Sequence, residues 1–526
     1  MRREEMLRRI RERAERNEPW DIAVIGGGAT GMGVAVDAAA RGFQTVLLEA
    51  HDFGKGTSSR STKLVHGGVR YLEQGNIPLV MSALKERGLL RQNAPHLVKD
   101  LAFVVPNYSW WEAPFYGIGL KLYDLLAGKY GFGPSKVLSK EETLQRLPAL
   151  EPEELRGGVV YYDGQFDDSR LLIHLAMTAA DQGATVVNYC PATGLLRDEE
   201  GYVNGLIARD DESGEAFSIK AKIVINATGV FTDQIRRMAD PATEPLMITS
   251  QGIHLVFDRS FLKGDTALMV PRTSDGRVLF VIPWHGHAVA GTTDTPVDGP
   301  SLEPKPLDEE IQFILETAGR YLTRPPSRSD VLAVYVGLRP LVKSGGASST
   351  AAISRDHTIH VDTSGLLTIT GGKWTTYRHM AEDTVDHAIT LGRLPDESCT
   401  TKNLRIHGYQ EPPADRDGEE DALEVYGSDA AEIRSLAAQN PDLAEPLHPA
   451  LPYIGAEVVW AARAEMARTV EDVLSRRTRA LFLNAHAAMQ MAESVAKLLA
   501  HELGHDDNWV AAQLQDFSAL AKQYTV

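Results

Sequence analysis

Residues 21–50 read DIAVIGGGATGMGVAVDAAARGFQTVLLEA. An apolar run ends at Ile25, and Gly26-x-Gly28-x-x-Gly31 follows and opens an Ala-rich segment. TVLLE then forms a second apolar run that closes on Glu49. Strand, glycines, helix, strand and acid, in that order, predict a βαβ unit that holds a dinucleotide. Gly26 permits the tight turn, Gly28 lets the backbone approach a pyrophosphate, and Gly31 allows helix and strand to pack closely. The helix N-terminus offers unpaired N–H groups and a partial positive charge to phosphates. Glu49 is placed to accept hydrogen bonds from both adenosine ribose hydroxyls. The alternative is an ordinary βαβ turn.

The fingerprint alone does not separate NAD from FAD. Its place near the N-terminus of a discontinuous unit leans towards FAD. So does INATG, which ends at Gly229, a strand with a glycine turn that could pass the same dinucleotide.

The predicted fold class is α/β, with a Rossmann-like dinucleotide-binding domain broken by an inserted β-rich domain. The first comprises 20–75, 156–245 and 341–395, and the substrate-binding cap comprises 76–155 and 246–340. Residues 400–526 turn rich in Ala, Glu, Arg and Leu and predict a C-terminal helical domain. Within it, AEVVWAARAEMARTVEDVLSRR and NAHAAMQMAESVAKLLAHEL read as amphipathic helices. Residues 1–19 predict a charged, loosely packed leader helix with Met6, Ile10 and Ala14 on one stripe.

Composition excludes several classes. The net charge of -17 and pI near 5.4 oppose nucleic-acid binding, which needs clustered Lys and Arg. Two cysteines, Cys190 and Cys399, make no disulfide framework, so a reducing, cytoplasmic setting is expected. The N-terminal stretch lacks the apolar core of a secretory signal, and no run reaches the roughly 18 apolar residues of a membrane span. No metal site is expected: AHELGH (500–505) lacks the H-E-x-x-H spacing, and the acidic stretch near 415 lacks the glycine position of an EF-hand loop.

Several further segments occur in order: GTSSRSTKLVHGGVRYLE (56–73), YYDGQFDDSRL, INATGVFTD, VIPWHGHAVAGTTDT, VGLRPLV, AISRDHTI and GGKWTTYRHMAEDT. Together they resemble the FAD-dependent sn-glycerol-3-phosphate dehydrogenase family over about residues 20–390, with that family's helical C-terminal domain after it. The resemblance implies a fold of the D-amino-acid-oxidase/glucose-oxidase type. It implies oxidation of glycerol 3-phosphate to dihydroxyacetone phosphate by hydride transfer to FAD, with electrons passed to a membrane quinone. An oxidase that hands electrons to oxygen and makes peroxide is the second enzyme reading. A non-catalytic flavin-fold protein is the third, and it would need no cation cluster.

The reaction needs cations for a phosphate dianion, a base for the C2 hydroxyl, and a water-poor flavin face. By resemblance, Arg339, Arg355 and Lys373 line the substrate pocket, with Arg70 and Tyr71 near it. Arg forks suit phosphate oxygens bidentately. His254 in SQGIHLVF is the preferred base and His66 in KLVHGG the second choice, because an unperturbed imidazole titrates near neutrality. Gln251 stands where bacterial members often carry Lys. Thr57, Ser58, Ser59, Thr62 and Lys63 are expected at the flavin, as are Gly372, Lys373 and Thr375, whose helix start could stabilise negative charge on the reduced ring.

Quinone lies in the bilayer, so a monotopic contact at the cytoplasmic face of the inner membrane is expected. The candidate is 110–132, with Trp110, Trp111, Phe115, Tyr116, Leu120, Leu122, Tyr123, Leu125 and Leu126 beside Lys121 and Lys129. The competing reading is a helix pair packed inside the cap. The helical domain either braces the flavin domain or serves self-association into a homodimer.

Overall fold

The computed structural model describes residues 1–73, 75–273, 276–343, 356–412 and 421–526; the side chains of Arg70 and Glu73 are not among the described features. Arg355 and most of the acidic stretch near 415 lie outside the described residues.

Among the described residues two large sheets carry the architecture. The first has Trp20–Ile25 at its centre, parallel to Thr45–Leu48 on one side and to Ala216–Asn226 on the other. Thr185–Val187 extends it beyond Thr45–Leu48, and Leu367–Gly371 with His357–Val361 extends the other edge. The central strand is buried almost throughout, which is why it reads as an unbroken apolar run. Helices Ala29–Ala40, Asp168–Asp181 and Tyr377–Leu391 contribute to the same core.

The second sheet is mostly antiparallel. Met247–Asp258 lies between Val331–Val342 and His287–Gly291. Leu279–Trp284, Thr266–Val270 and Val98–Asn107 follow, and Gly157–Phe166 pairs with Val98–Asn107. Gly157–Phe166 therefore belongs to this sheet, although its sequence places it at the head of the dinucleotide-binding unit. It is buried along nearly its whole length, as a central strand of either sheet would be, and the long antiparallel register with Val98–Asn107 decides the matter. Leu64–Val65, straight after the hydroxyl-rich loop, also joins this sheet. The chain thus passes between the sheets within a few residues of the loop that the motifs single out.

The C-terminal region is helical apart from a small hairpin of Pro446–His448 and Leu451–Ile454. The predicted long helix over 456–477 is broken. Gly455–Ala464 ends at Glu465, Met466 takes φ 57°, and Asp472–Arg477 forms a separate π-type turn. The break follows from burial of charge. Glu465 pairs with Arg170, and Arg476 and Arg477 turn inwards to Asp52. Three charged side chains on a solvated helix face cannot make those contacts.

Helix Arg3–Glu15 forms as expected but is not loosely packed. Met6, Leu7 and Ile10 are buried, and Arg3 pairs with Asp210 at 2.5 Å. Ala14 lies on the exposed side, a correction to the predicted stripe.

Candidate active site

The glycine turn behaves as its spacing requires. Gly26 has φ +110°, and a Cβ there would lie 2.7 Å from the Ala227 carbonyl oxygen. A Cβ on Gly31 would lie 1.9 Å from the Gly26 carbonyl oxygen, so helix Ala29–Ala40 starts directly against the strand end. Gly28 caps that helix, and the Ala29 N–H donates to Ser58 Oγ at 2.9 Å. The Glu49 carboxylate accepts from the Gly27 N–H at 2.6 Å and the His51 N–H at 2.9 Å. Burial raises its pKa, against the pull of those two N–H groups. Gly229 sits at φ +58° at the end of the neighbouring parallel strand, with open space where its Cβ would stand. Bare backbone, a helix N-terminus and an acid at the second strand fit the adenosine diphosphate part of FAD.

The loop 56–63 joins this cradle to the second sheet. Thr57 Oγ1 donates to the Leu338 carbonyl at 2.8 Å, and Ser59 Oγ to Gly54 at 2.8 Å. Trp374 Nε1 donates to the Ser58 carbonyl at 2.8 Å. Lys63 is fully buried, and its ammonium meets both Asp168 oxygens at 2.8 and 2.9 Å and the Ser59 carbonyl at 2.7 Å. Its three donors are engaged inside the protein, so the expected ammonium contact with a dinucleotide does not hold and Lys63 offers that side only backbone.

His254 lies mid-strand opposite Tyr335 on one neighbour and Gly291 on the other. Its ring stacks on Tyr335 at 4.7 Å, and a Cβ on Gly291 would sit 2.2 Å from it. Its Nε2 is 2.9 Å from Thr62 Oγ1. Burial, with Lys63 and then Arg339 as nearby cations, holds its pKa well below the ordinary value, so the ring is neutral. Arg339 follows on the partner strand. Its guanidinium lies over Gly252 and donates to the carbonyls of Gln251 at 3.0 Å and Thr293 at 2.6 Å, with Asp294 at 3.2 Å. Gln251 is turned away, donating to Glu310 at 2.6 Å.

A second group gathers where the loop continues. The His66 N–H donates to Thr375 Oγ1 at 3.2 Å, and burial pushes the His66 pKa down to about 4. Lys373 Nζ lies 3.8 Å from the centre of the Tyr71 ring. Gly371 and Gly372 take φ +78° and +72°, which sets Lys373 just before the turn into helix Tyr377–Leu391. The fold brings together His254, Thr62, Lys63 and Arg339, and separately His66, Tyr71, Lys373 and Thr375, with one loop serving both.

Sequence reasoning passed over Asp168, Tyr335 and Asp294. Asp168 and Asp294 sit inside quoted motifs, YYDGQFDDSRL and VIPWHGHAVAGTTDT, so a search for the partners of Lys63 and Arg339 could have found them. Tyr335 carried no signal beyond its place in a strand. Among the described residues no group of His, Cys, Asp and Glu could hold a metal ion.

The chain is similar to known proteins along nearly its whole length. The FAD dependent oxidoreductase family matches residues 21–378, and the C-terminal domain of alpha-glycerophosphate oxidase matches residues 368–510. The chain is 42% identical over 527 residues to a probable mitochondrial glycerol-3-phosphate dehydrogenase of Caenorhabditis elegans, covering 95% of this chain and 73% of that protein. It is 41% identical to the mitochondrial glycerol-3-phosphate dehydrogenase of Homo sapiens, covering 94% of this chain and 72% of that one. The X-ray structure of the Bacillus halodurans glycerol-3-phosphate dehydrogenase, complexed with FAD, superposes with a TM-score of 0.78 at 30% identity, over 98% of this chain and 96% of that one. With the glycine cradle, the second sheet and the helical C-terminal domain matched in one chain, this protein belongs to the FAD-dependent glycerol-3-phosphate dehydrogenase family.

Proposed function

We propose that the chain oxidises the C2 hydroxyl of glycerol 3-phosphate to a ketone, giving dihydroxyacetone phosphate, and that the electrons leave to a quinone in the bilayer. The observation that carries the residue roles is a neutral, buried His254 four strand positions from Ser250, which pairs with Arg339 on the neighbouring strand. FAD, when bound, supplies the two-electron acceptor for the C2 hydride.

The chain's own residues do the rest. Gly26, Gly28 and Gly31 hold the pyrophosphate, and Glu49 the adenosine ribose. Ser58, Thr62, Gly229, Gly372 and Thr375 border the remainder of the cofactor, with Thr57, Ser59 and Lys63 shaping the loop. Arg339 takes the substrate phosphate, with Lys373, Arg355, Arg70 and Tyr71 completing the pocket. His254 receives the C2 hydroxyl proton on a ring nitrogen, which its depressed pKa leaves unprotonated at neutral pH. His66, neutral for the same reason, is the second candidate.

The membrane contact is assigned to helix Glu112–Ala127 and its approach. Trp110, Ile118 and Leu125 are 78%, 73% and 76% exposed, while Leu120 and Tyr123 on the other face are buried. Phe115 and Leu122 are exposed too, so the outer face carries an apolar stripe at helical spacing. Among the described residues no helix is long and apolar enough to cross a membrane. The reading is peripheral attachment at the cytoplasmic face of the inner membrane.

Anaerobic addition of glycerol 3-phosphate to the purified flavoprotein tests the reaction. Stoichiometric bleaching of the flavin bands is expected; an unchanged spectrum sinks the substrate assignment. Reoxidation of the bleached enzyme by a quinone analogue faster than by oxygen is expected, and the reverse order makes the protein an oxidase. Flotation with liposomes tests the surface: Ile118→Asp with Leu125→Asp should abolish flotation while the flavin still bleaches.

A further inference from the structure

Lys63 is a buried cation in a backbone conformation that non-glycine residues rarely adopt, φ 63°. Its three acceptors satisfy all three ammonium donors. Around it stand three rings, Trp284 at 4.8 Å, Tyr335 at 5.0 Å and Phe482 at 5.2 Å. Two come from the second sheet. Phe482 comes from the C-terminal helical domain, in the short helix Ala480–Leu483. Phe482 also meets Tyr335 edge-on at 5.3 Å, and Tyr335 stacks on His254. The Tyr335 hydroxyl donates to the Ser61 carbonyl at 3.1 Å. Asp168 is the first residue of helix Asp168–Asp181 and also receives the Ser61 N–H and hydroxyl at 3.1 and 2.7 Å. Next to it, Asp167 pairs with Arg479 at 2.9 Å, again from the C-terminal domain.

We infer that Lys63 is a positioning residue for the oxidation, and that the C-terminal domain takes part in the reaction by closing the cage around it. Thr62 precedes Lys63, and its hydroxyl is the His254 partner. Fixing Lys63 in its cage fixes Thr62, and Thr62 fixes the imidazole. Burial, and after it the Lys63 charge, keep the ring from taking a proton before substrate arrives. The inference rests on His254 as proton acceptor.

The test uses the intact FAD-loaded enzyme and three variants. Lys63→Met with Asp168→Asn removes the pair without leaving one charge buried alone. Phe482→Leu opens the cage only from the C-terminal side. His254→Gln reports on the proton acceptor itself. In the double variant, kcat should fall about tenfold or more at unchanged flavin content. The acid limb of its kcat/KM profile should move to higher pH, because a cation beside the imidazole is gone. Phe482→Leu should lower kcat severalfold and speed amide exchange across residues 56–66, with KM little changed. A merely structural Lys63 predicts lost flavin or a lower Tm with the acid limb in place, and that result overturns the inference. If the double variant does not fold, Phe482→Leu decides: wild-type kcat and wild-type exchange overturn it. If His254→Gln keeps the wild-type limb, the proton-acceptor reading fails by itself. If that variant loses the limb but the Lys63 variant leaves it unmoved, only the inference falls.

Discussion

The dinucleotide cradle and the cluster around His254 adjoin along one loop and are built on opposite principles. The cradle is made by leaving side chains out: at Gly26 and Gly31 a single methyl group would collide with backbone. The cluster is made by burying charge and matching it, Lys63 with Asp168 and, just behind the loop, Arg476 and Arg477 with Asp52. The cradle draws its glycines and acid from about thirty consecutive residues, 21–50. The cluster draws on residues 62, 63, 168, 254, 335, 339 and 482. A site made of absences tolerates no added atom, and a site made of pairs tolerates no removed partner.

The largest effect is expected from breaking the pairs. Asp52→Ala removes the carboxylate that buried Arg476 and Arg477 share, leaving Arg476 to Glu471 and Asp472, and should cost about 3–5 kcal/mol of stability. Chemical denaturation measures it, and a loss below about 1 kcal/mol would mean that solvent and the remaining carboxylates suffice for the two charges. Gly31→Val attacks the cradle instead. It should abolish copurifying FAD and cost about 3 kcal/mol through overpacking, read from the ratio of flavin to protein absorbance and from Tm. A yellow, fully loaded variant would show that the helix start can move.

Arg339→Ala comes next. It should raise KM for glycerol 3-phosphate about a hundredfold, the equivalent of about 2–3 kcal/mol for a charged hydrogen bond, with FAD retained. Unchanged kinetics would remove Arg339 from the substrate pocket. The smallest effect concerns acid. Lys55 and Arg476 pair with Glu471 and, outweighing its burial, hold its pKa at about 2 against an ordinary value of 4.5. A depressed carboxylate contributes stability that is complete above the unfolded value and lost as pH falls through the folded one. Wild-type Tm should therefore fall between pH 4.5 and about 2, and Glu471→Gln should flatten part of that fall. An identical acid profile in the variant would show that Glu471 is not among the groups titrating there.

Much of this was legible along the chain. The βαβ unit with its glycine turn between Trp20–Ile25 and Thr45–Leu48 was legible, because strand, turn and helix follow one another directly in the chain. The strands of 246–340 and the C-terminal helices were legible from their periodicity. Gly157–Phe166 was misassigned because a strand buried on both faces does not say which sheet it joins. The helix across 465–471 was wrongly continued because periodicity cannot see that Glu465, Arg476 and Arg477 have buried partners 295 to 425 residues away. Lys63 was read as a cofactor contact from its hydroxyl-rich neighbours, and only the packed loop shows its ammonium facing the protein interior.

The sequence by itself determined the chemistry that local backbone can perform: a tight turn, a bare helix N-terminus and an acid at the next strand. These follow from residue type and spacing alone. Tertiary structure decided which charges are paired, which histidines are neutral, and that the C-terminal domain supplies Phe482 to the cage around Lys63. Those outcomes depend on burial and on distances between groups far apart in the chain. Desolvation and Coulomb energy are set by what packs around a group, and no window of sequence contains that.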